Sequence, residues 1–272
     1  MAELDSLAVH VMSENLATVR VTTPIELVQA GEALSNAWFR GQGHARWGLR
    51  STLERDAELF GVPRQGLFER EQVMFRLFKE RAHLYSRGFD TPKSTFEWYA
   101  LIRHYGGPSR LLDITSSYLV AAYFALSDSQ GNGDAVIWAF RGLEDTPVKP
   151  ADLDSMFGPN GAQDVVVASP DRLNDRVHAQ SGGFFVPGSV KVSLEQQISK
   201  TFDTSLSHVS RYRSVRRVET EIGHRIWKLV IPRGVHSELF RFLSRCNLRA
   251  YSLFPGMEGL ASSLREMMRA YD

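Results

Sequence analysis

Apolar positions along the chain recur with two periods, and the places where the period changes mark the elements. From Gln65 to Tyr85, Leu67, Phe68, Val73, Met74, Leu77, Phe78 and Leu84 stand among alternating charges, which predicts one long amphipathic helix. A shorter helix opens at Thr23-Pro24, where proline suits the first turn, and runs to about Ser35. Ala37 to Gln42 predicts a strand ending in a glycine turn, and Leu49 to Leu53 a second short strand or a loop. After the break at Pro92, Ser94 and Glu97 have capping-box spacing, and Trp98, Leu101 or Ile102, and Tyr105 follow on one helix face. Gly131 to Asp134 reads as a turn, Ala135 to Phe140 as a buried strand, and Val165 to Val167 as a further strand. Residues 141 to 163, rich in Pro, Asp and Gly, predict a surface excursion, and Asn174 to Pro187 an irregular polar stretch. Ser193 and Gln196 repeat the capping-box spacing before a short helix. The last elements are a strand over Arg225–Ile231, a helix over Ser237–Cys246, a strand over Leu248–Phe254 and a terminal helix over Leu260–Tyr271. Helices dominate the first half and strands the second, which predicts an α+β chain in a single domain.

One stretch, His104 to Leu126, organises the rest. Gly106 and Gly107 can take positive φ to end a helix, and Pro108 prevents its continuation. Leu111, Leu112 and Ile114 supply a brief apolar strand, and Thr115 or Ser116 can cap the next helix. That helix is apolar nearly all round, which predicts burial. His104, Tyr105, Arg110, Asp113, Thr115 and Ser116 are set into this frame, and buried polar groups must pair with each other, with backbone or with a ligand. Arg110 and Asp113, flanking two leucines, read as a buried structural pair.

Composition narrows the class. At 272 residues the chain can bury an ample core without staples, and 43% hydrophobic and 23% charged residues are ordinary for a globular protein. A net charge of +1 gives no global pull toward nucleic acid or membrane. The one cysteine, Cys246, excludes an internal disulfide and a cysteine zinc cluster, and its spacing behind Leu239, Phe242 and Leu243 predicts a core thiol. No apolar run approaches the ~20 residues that span a bilayer, and the first residues lack a signal pattern, so a reducing cytoplasm with no membrane partner is expected. No H-E-x-x-H, G-x-S-x-G or phosphate-loop motif is present, so no metal is expected in a site.

The motifs Phe39-Arg40-Gly41-Gln42, His104-Tyr105-Gly106-Gly107-Pro108-Ser109-Arg110-Leu111-Leu112-Asp113, and Thr115 with Ala122-Tyr123-Phe124-Ala125 resemble the FRG domain, named for its Phe-Arg-Gly motif. Arg176 with Gln180, Gly183-Phe184 and the ending Leu253-Phe254-Pro255 with Glu258-Gly259-Leu260 extend the resemblance over roughly residues 37 to 262. Gly256-Met257 departs from the Asp-Leu that the family often carries there. The organisation expected is an N-terminal arm and helix over residues 1–36 and an FRG-like domain over 37–272, forming one compact unit.

A second resemblance, to ADP-ribosyltransferases, rests on three marks in order: Trp38-Phe39-Arg40-Gly41 at a strand end, Asp113 to Ser117 running into Ala121 to Ala125, and the late acid Glu258. It implies a mixed sheet flanked by helices and a reaction in which NAD is the substrate and a macromolecule, protein or nucleic acid, the acceptor. It also implies a toxin or anti-phage effector, with an antitoxin or regulatory protein as a partner. On this resemblance Glu258 is the catalytic carboxylate, Arg40, Gly41 and Gln42 hold the dinucleotide, Thr115 and Ser116 the nicotinamide ribose, and His104 and Tyr105 contact the ligand. Other roles stay open for the same residues: Arg40 in a surface salt bridge, His104 as a cation at a helix C-terminus, Tyr105 in the core, Thr115 and Ser116 as caps, Arg176 and Gln180 in solvent. Glu221, after the basic run Arg211 to Arg217, is a rival late acid. The alternative in another class is a non-catalytic nucleotide- or protein-binding sensor module.

Overall fold

The computed structural model describes residues 14–85, 91–129, 133–143, 150–170, 175–213 and 224–270. Its frame is an eight-stranded mixed sheet. The strands are β1 (Glu14–Arg20), β2 (Trp38–Gln42), β3 (Leu112–Thr115), β4 (Ala135–Phe140), β5 (Val165–Ala168), β6 (Gly182–Pro187), β7 (Thr204–Tyr212) and β8 (Ile226–Ile231), in the order β5-β6-β3-β2-β4-β8-β1-β7. β1 runs parallel to both its neighbours, and the other pairings are antiparallel. Around the sheet lie α1 (Pro24–Ala33), α2 (Thr52–Leu59), α3 (Leu67–Tyr85), α4 (Thr95–His104), α5 (Tyr118–Ser127), α6 (Asp175–Ala179), α7 (Leu194–Thr201), α8 (His236–Arg245), α9 (Ala250–Leu253) and α10 (Met257–Ala270). The described chain is thus α+β with a mixed sheet. Among the described residues no helix is long and apolar enough to cross a membrane.

The sheet is buried on both faces, which explains the unbroken apolar run of β4. Ala135, Ile137 and Ala139 pack with α1, α5 and α8, while Val136, Trp138 and Phe140 pack on the opposite side with Phe185 and Leu194, Ile198 and Phe202 of the α7 segment. α5 is apolar all round, as expected of a central helix, with Val120, Ala121, Ala122, Tyr123, Ala125 and Leu126 buried. Both expected capping boxes form, Ser94 with Glu97 on α4 and Ser193 with Gln196 on α7. Gly106 takes φ +81°, and the Gly107 N–H returns to the Ile102 carbonyl at 2.9 Å, closing α4 in the way a helix C-terminus requires.

Several expectations are corrected. Leu248–Phe254 is not a strand: Asn247 turns the chain at φ +61°, and α9 forms a single turn that buries Ala250 and Leu253, three residues apart. Asn174–Pro187 is not irregular where it is described, since α6 and the interior strand β6 occupy it. Thr52–Leu59 is a helix opened by a third capping box, Ser51 with Glu54. The excursion after β4 contains a 3-10 segment, Pro150–Phe157, whose Leu153, Met156 and Phe157 join the core. Ser117, not Thr115 or Ser116, caps α5 by accepting the Val120 N–H. Cys246 is exposed, because it follows the last turn of α8 and the helix face that buries Leu239 and Leu243 ends before it.

Gly41 shows how tightly α5 sits on β2. A Cβ there would overlap the Ala121 carbonyl oxygen and lie 2.6 Å from the Ala125 nitrogen, both backbone atoms that cannot rotate away. Gly41→Ala should therefore lower stability by about 1–3 kcal/mol, read as a fall in the denaturation midpoint. An unchanged midpoint would mean that the helix is not seated against this strand.

Candidate functional site

A cleft of about 1390 Å3 opens where β2, β3 and β6 meet α2, α4 and α6. Seven cationic side chains and four carboxylates line it, a formal excess of three positive charges that the whole chain, at +1, does not show. The excess has a centre. Asp113 on β3 accepts from Arg103 Nε and Nη2 at 3.0 and 2.7 Å, and Arg40 Nη1 lies 3.8 Å from the same oxygen while donating to the Asp113 carbonyl at 2.6 Å. Arg55, donating to the Arg50 carbonyl, and Arg176, whose guanidinium lies 4.6 Å above the Phe254 ring, complete the group.

Two guanidinium groups on one carboxylate, with two more lining the same cleft, leave the cluster cationic. Burial lowers Arg40 to about 10, with Arg103 and Arg55 acting in the same sense against Asp113, so it stays charged at neutral pH beside other cations. Burial and then Arg103 lower Arg55, and the same two causes act on Arg176 against Asp113. Burial works against ionisation of Asp113, yet Arg103 and Arg40 outweigh it and hold the carboxyl below its usual range. Arg40 Nε is buried and makes no hydrogen bond. An arginine fork left partly unpaired among like charges is suited to a divalent anion such as a phosphate, which can satisfy planar donors two at a time.

The other residues singled out in the sequence fall into three groups. His104, Thr115, Gly41 and Gln42 line the cleft, but two have structural duties. Gln42 donates to the Gly48 carbonyl at 3.0 Å and accepts the Trp138 indole N–H at 2.7 Å. Thr115 donates to the Gln180 carbonyl at 2.7 Å and accepts the Ser117 N–H at 3.0 Å. Ser116, donating to the Ser181 carbonyl, is exposed, and Tyr105 is 66% exposed with its ring edge-on to His104; neither lines the cleft. Glu258 stands exposed in the first turn of α10, outside the lining, and its charge still reaches His104 and Arg176. Burial and then Arg176 push His104 down, against Glu258, so at neutral pH it is a neutral imidazole rather than a helix-end cation. Arg176 and Gln180 are half-buried on the cleft wall, not in open solvent. Glu221 and the basic run beyond Arg213 lie outside the described residues.

The pairing of Arg110 with Asp113 does not occur. Arg110, 1% exposed, pairs instead with Glu71 of α3, equally buried, and donates to the Met156 carbonyl at 2.9 Å. The sequence reading missed Arg55, Arg103 and Asp128. Arg103 could have been found as the residue one turn from Tyr99 on the helix that delivers His104, whereas Arg55 sits on a helix with only two buried apolar side chains. Asp128, at the C-terminal end of α5, is raised by burial, offset by the Gly43 N–H and by Arg40 and Arg55.

No curated protein and no solved structure matches the chain. Over residues 35–133 it matches the family model of the FRG domain, the stretch that supplies Arg40, Arg55, Arg103 and Asp113, while Arg176 and β6 come from beyond it.

Proposed function

We propose that the cleft binds a nucleotide through its phosphates, that the nucleotide is NAD, and that the protein transfers ADP-ribose from it to a macromolecular acceptor. The observation that carries the binding step is that Arg103 and Arg40 meet on the single carboxylate of Asp113, with Arg55 and Arg176 lining the same cleft within its electrostatic reach. Size supports it as well: small-molecule sites usually occupy about 300–1,000 Å3, and this cleft exceeds that, leaving room for part of an acceptor beside a dinucleotide. In the transfer step the bond from the ribose C1′ to the nicotinamide nitrogen breaks, and its electron pair leaves with nicotinamide. The acceptor nucleophile then bonds to C1′ and gives up its proton. A carboxylate near C1′ stabilises the oxocarbenium-like state, and Glu258, within electrostatic reach of His104 and Arg176, is the residue assigned that role.

A second reading, a module that binds without turnover, is favoured by three of the four carboxylates inside the cleft, which already have partners. Glu58 pairs with Arg50, Glu97 accepts the Lys93 and Ser94 N–H groups, and Asp113 is held by arginines. Calorimetry with NAD followed by an assay for released nicotinamide separates the two. Arg40→Lys keeps the charge and loses the fork, so NAD affinity should weaken by about 1.5–3 kcal/mol. Equal affinity in the variant would remove Arg40 from the site.

A further inference from the structure

An aromatic side chain stands at the cleft that the phosphate-binding reading does not use. Trp47 is 47% exposed and lines the cleft between Arg46 and Gly48. An exposed tryptophan on a loose loop would mean little, but this loop is tied on every side. The Ala45 N–H donates to the Asp134 carbonyl at 2.7 Å, Lys228 Nζ donates to the Ala45 carbonyl at 2.6 Å, Gln42 Nε2 donates to the Gly48 carbonyl at 3.0 Å, and the Leu49 N–H donates to Glu195 at 2.9 Å. The indole is also backed. The His44 ring stacks on it with centroids 5.9 Å apart and planes 27° from parallel, and His44 is wedged in turn, its Nδ1 accepting the Arg46 N–H and its Nε2 lying 2.6 Å from where a Cβ on Gly133 would be. A rigid, half-exposed aromatic face at a cationic cleft is the arrangement that receives a base, since stacking needs a fixed flat surface and the phosphates need nearby cations.

We infer that Trp47, held by His44, is a stacking site for the nucleobase of the ligand whose phosphates the arginine cluster receives. This rests on the reading of the cleft as a nucleotide site and adds to it which moiety is recognised away from the phosphates. The residue is a binding group and takes no part in bond breaking.

The experiment titrates inorganic pyrophosphate, NAD, ATP and GTP into the wild-type protein, Trp47→Ala and Trp47→Phe, with melting curves confirming the fold. The loop's ties are main-chain bonds or come from other side chains, so the variants should fold. Trp47→Ala should weaken the bound nucleotide by about 10- to 100-fold, leave pyrophosphate unchanged, and be largely rescued by Trp47→Phe. NAD binding equal in wild type and Trp47→Ala would overturn the stacking site while leaving the NAD reading intact. Trp47-dependent binding of ATP or GTP with no binding of NAD would uphold the stacking site and overturn the NAD reading. Binding of pyrophosphate alone, or of none of these, by the wild type would overturn both.

Discussion

Glu71→Ala should destabilise the fold by about 3–5 kcal/mol, lowering the melting temperature by on the order of 10 °C for a chain of this size. Both charges of the Arg110–Glu71 pair are 1% exposed, so removing one leaves the other without water or counter-charge. Burial alone would push Arg110 down, but the hydrogen bonds and charge of Glu71 outweigh it and raise the guanidinium, so the pair is charged in the folded state. Arg110 also ties distant segments together. It donates to the Met156 carbonyl of the 3-10 segment and lies 5.7 and 5.2 Å from the Tyr99 and Phe157 ring centroids, which stack on each other. Arg110→Ala should therefore be at least as damaging as Glu71→Ala, since it also strands a buried carbonyl. A cycle with the double variant Glu71→Met, Arg110→Leu separates pairing from packing: the double should recover much of the loss, because apolar replacements of a buried pair are often tolerated. Single variants that melt like wild type would show that the pair is not what fixes α3 and the 3-10 segment to the sheet.

That pair also shows where sequence reasoning runs out. Arg110 and Asp113 are three residues apart and flank two leucines, and proximity in sequence made them look like partners. The extended chain sends them apart: Arg110 turns into the core toward a glutamate 39 residues earlier, and Asp113 faces the cleft. Elements with a strong local signal were legible. β4 was visible because six consecutive apolar residues suit burial on both faces, and α4 and α7 because a serine and an acid or amide three residues later announce a helix start. α2 carried the same capping signal at Ser51 and Glu54, but a helix with so few apolar positions offers almost no period to detect. β6 was hidden by Gly182-Gly183 at its start and Pro187 at its end, residues that usually mark loops.

The site divides in the same way. Arg40 was legible because it sits in the Phe-Arg-Gly motif of a short strand, and His104 because it ends a well-marked helix. The companions that make Arg40 unusual were not, since Arg55, Arg103 and Arg176 come from three separate helices and meet only through tertiary packing. The same holds for Trp47: an aromatic in a loop is unremarkable until the bonds that fix Ala45, Gly48 and Leu49 are seen.

Glu258→Gln is the substitution that tests transfer itself. The side chain is exposed in the first turn of α10, where a negative charge stabilises the helix by only a few tenths of a kcal/mol. The amide keeps the size and removes the charge, so melting should barely change. NAD binding should also hold, because the arginine cluster is untouched. One consequence is independent of turnover. Burial and Arg176 push the His104 imidazole down while Glu258 pulls it up, so without the carboxylate charge His104 should titrate at a lower pH, which a proton NMR titration would read. If that shift is absent, Glu258 does not face the cleft mouth. Turnover then decides its role. A carboxylate that acts on the oxocarbenium-like state contributes mainly in the transition state, and its loss should slow nicotinamide release by about 10²–10³-fold. A shifted His104 with wild-type turnover would place Glu258 beside the site but outside the chemistry, and would move the test to Asp128, the cleft carboxylate at the end of α5 whose carboxyl is held above its usual range. Nicotinamide release that survives neither wild-type assay nor any variant, alongside intact NAD binding, would leave the cleft as a binding module, with the arginines around Asp113 serving recognition alone.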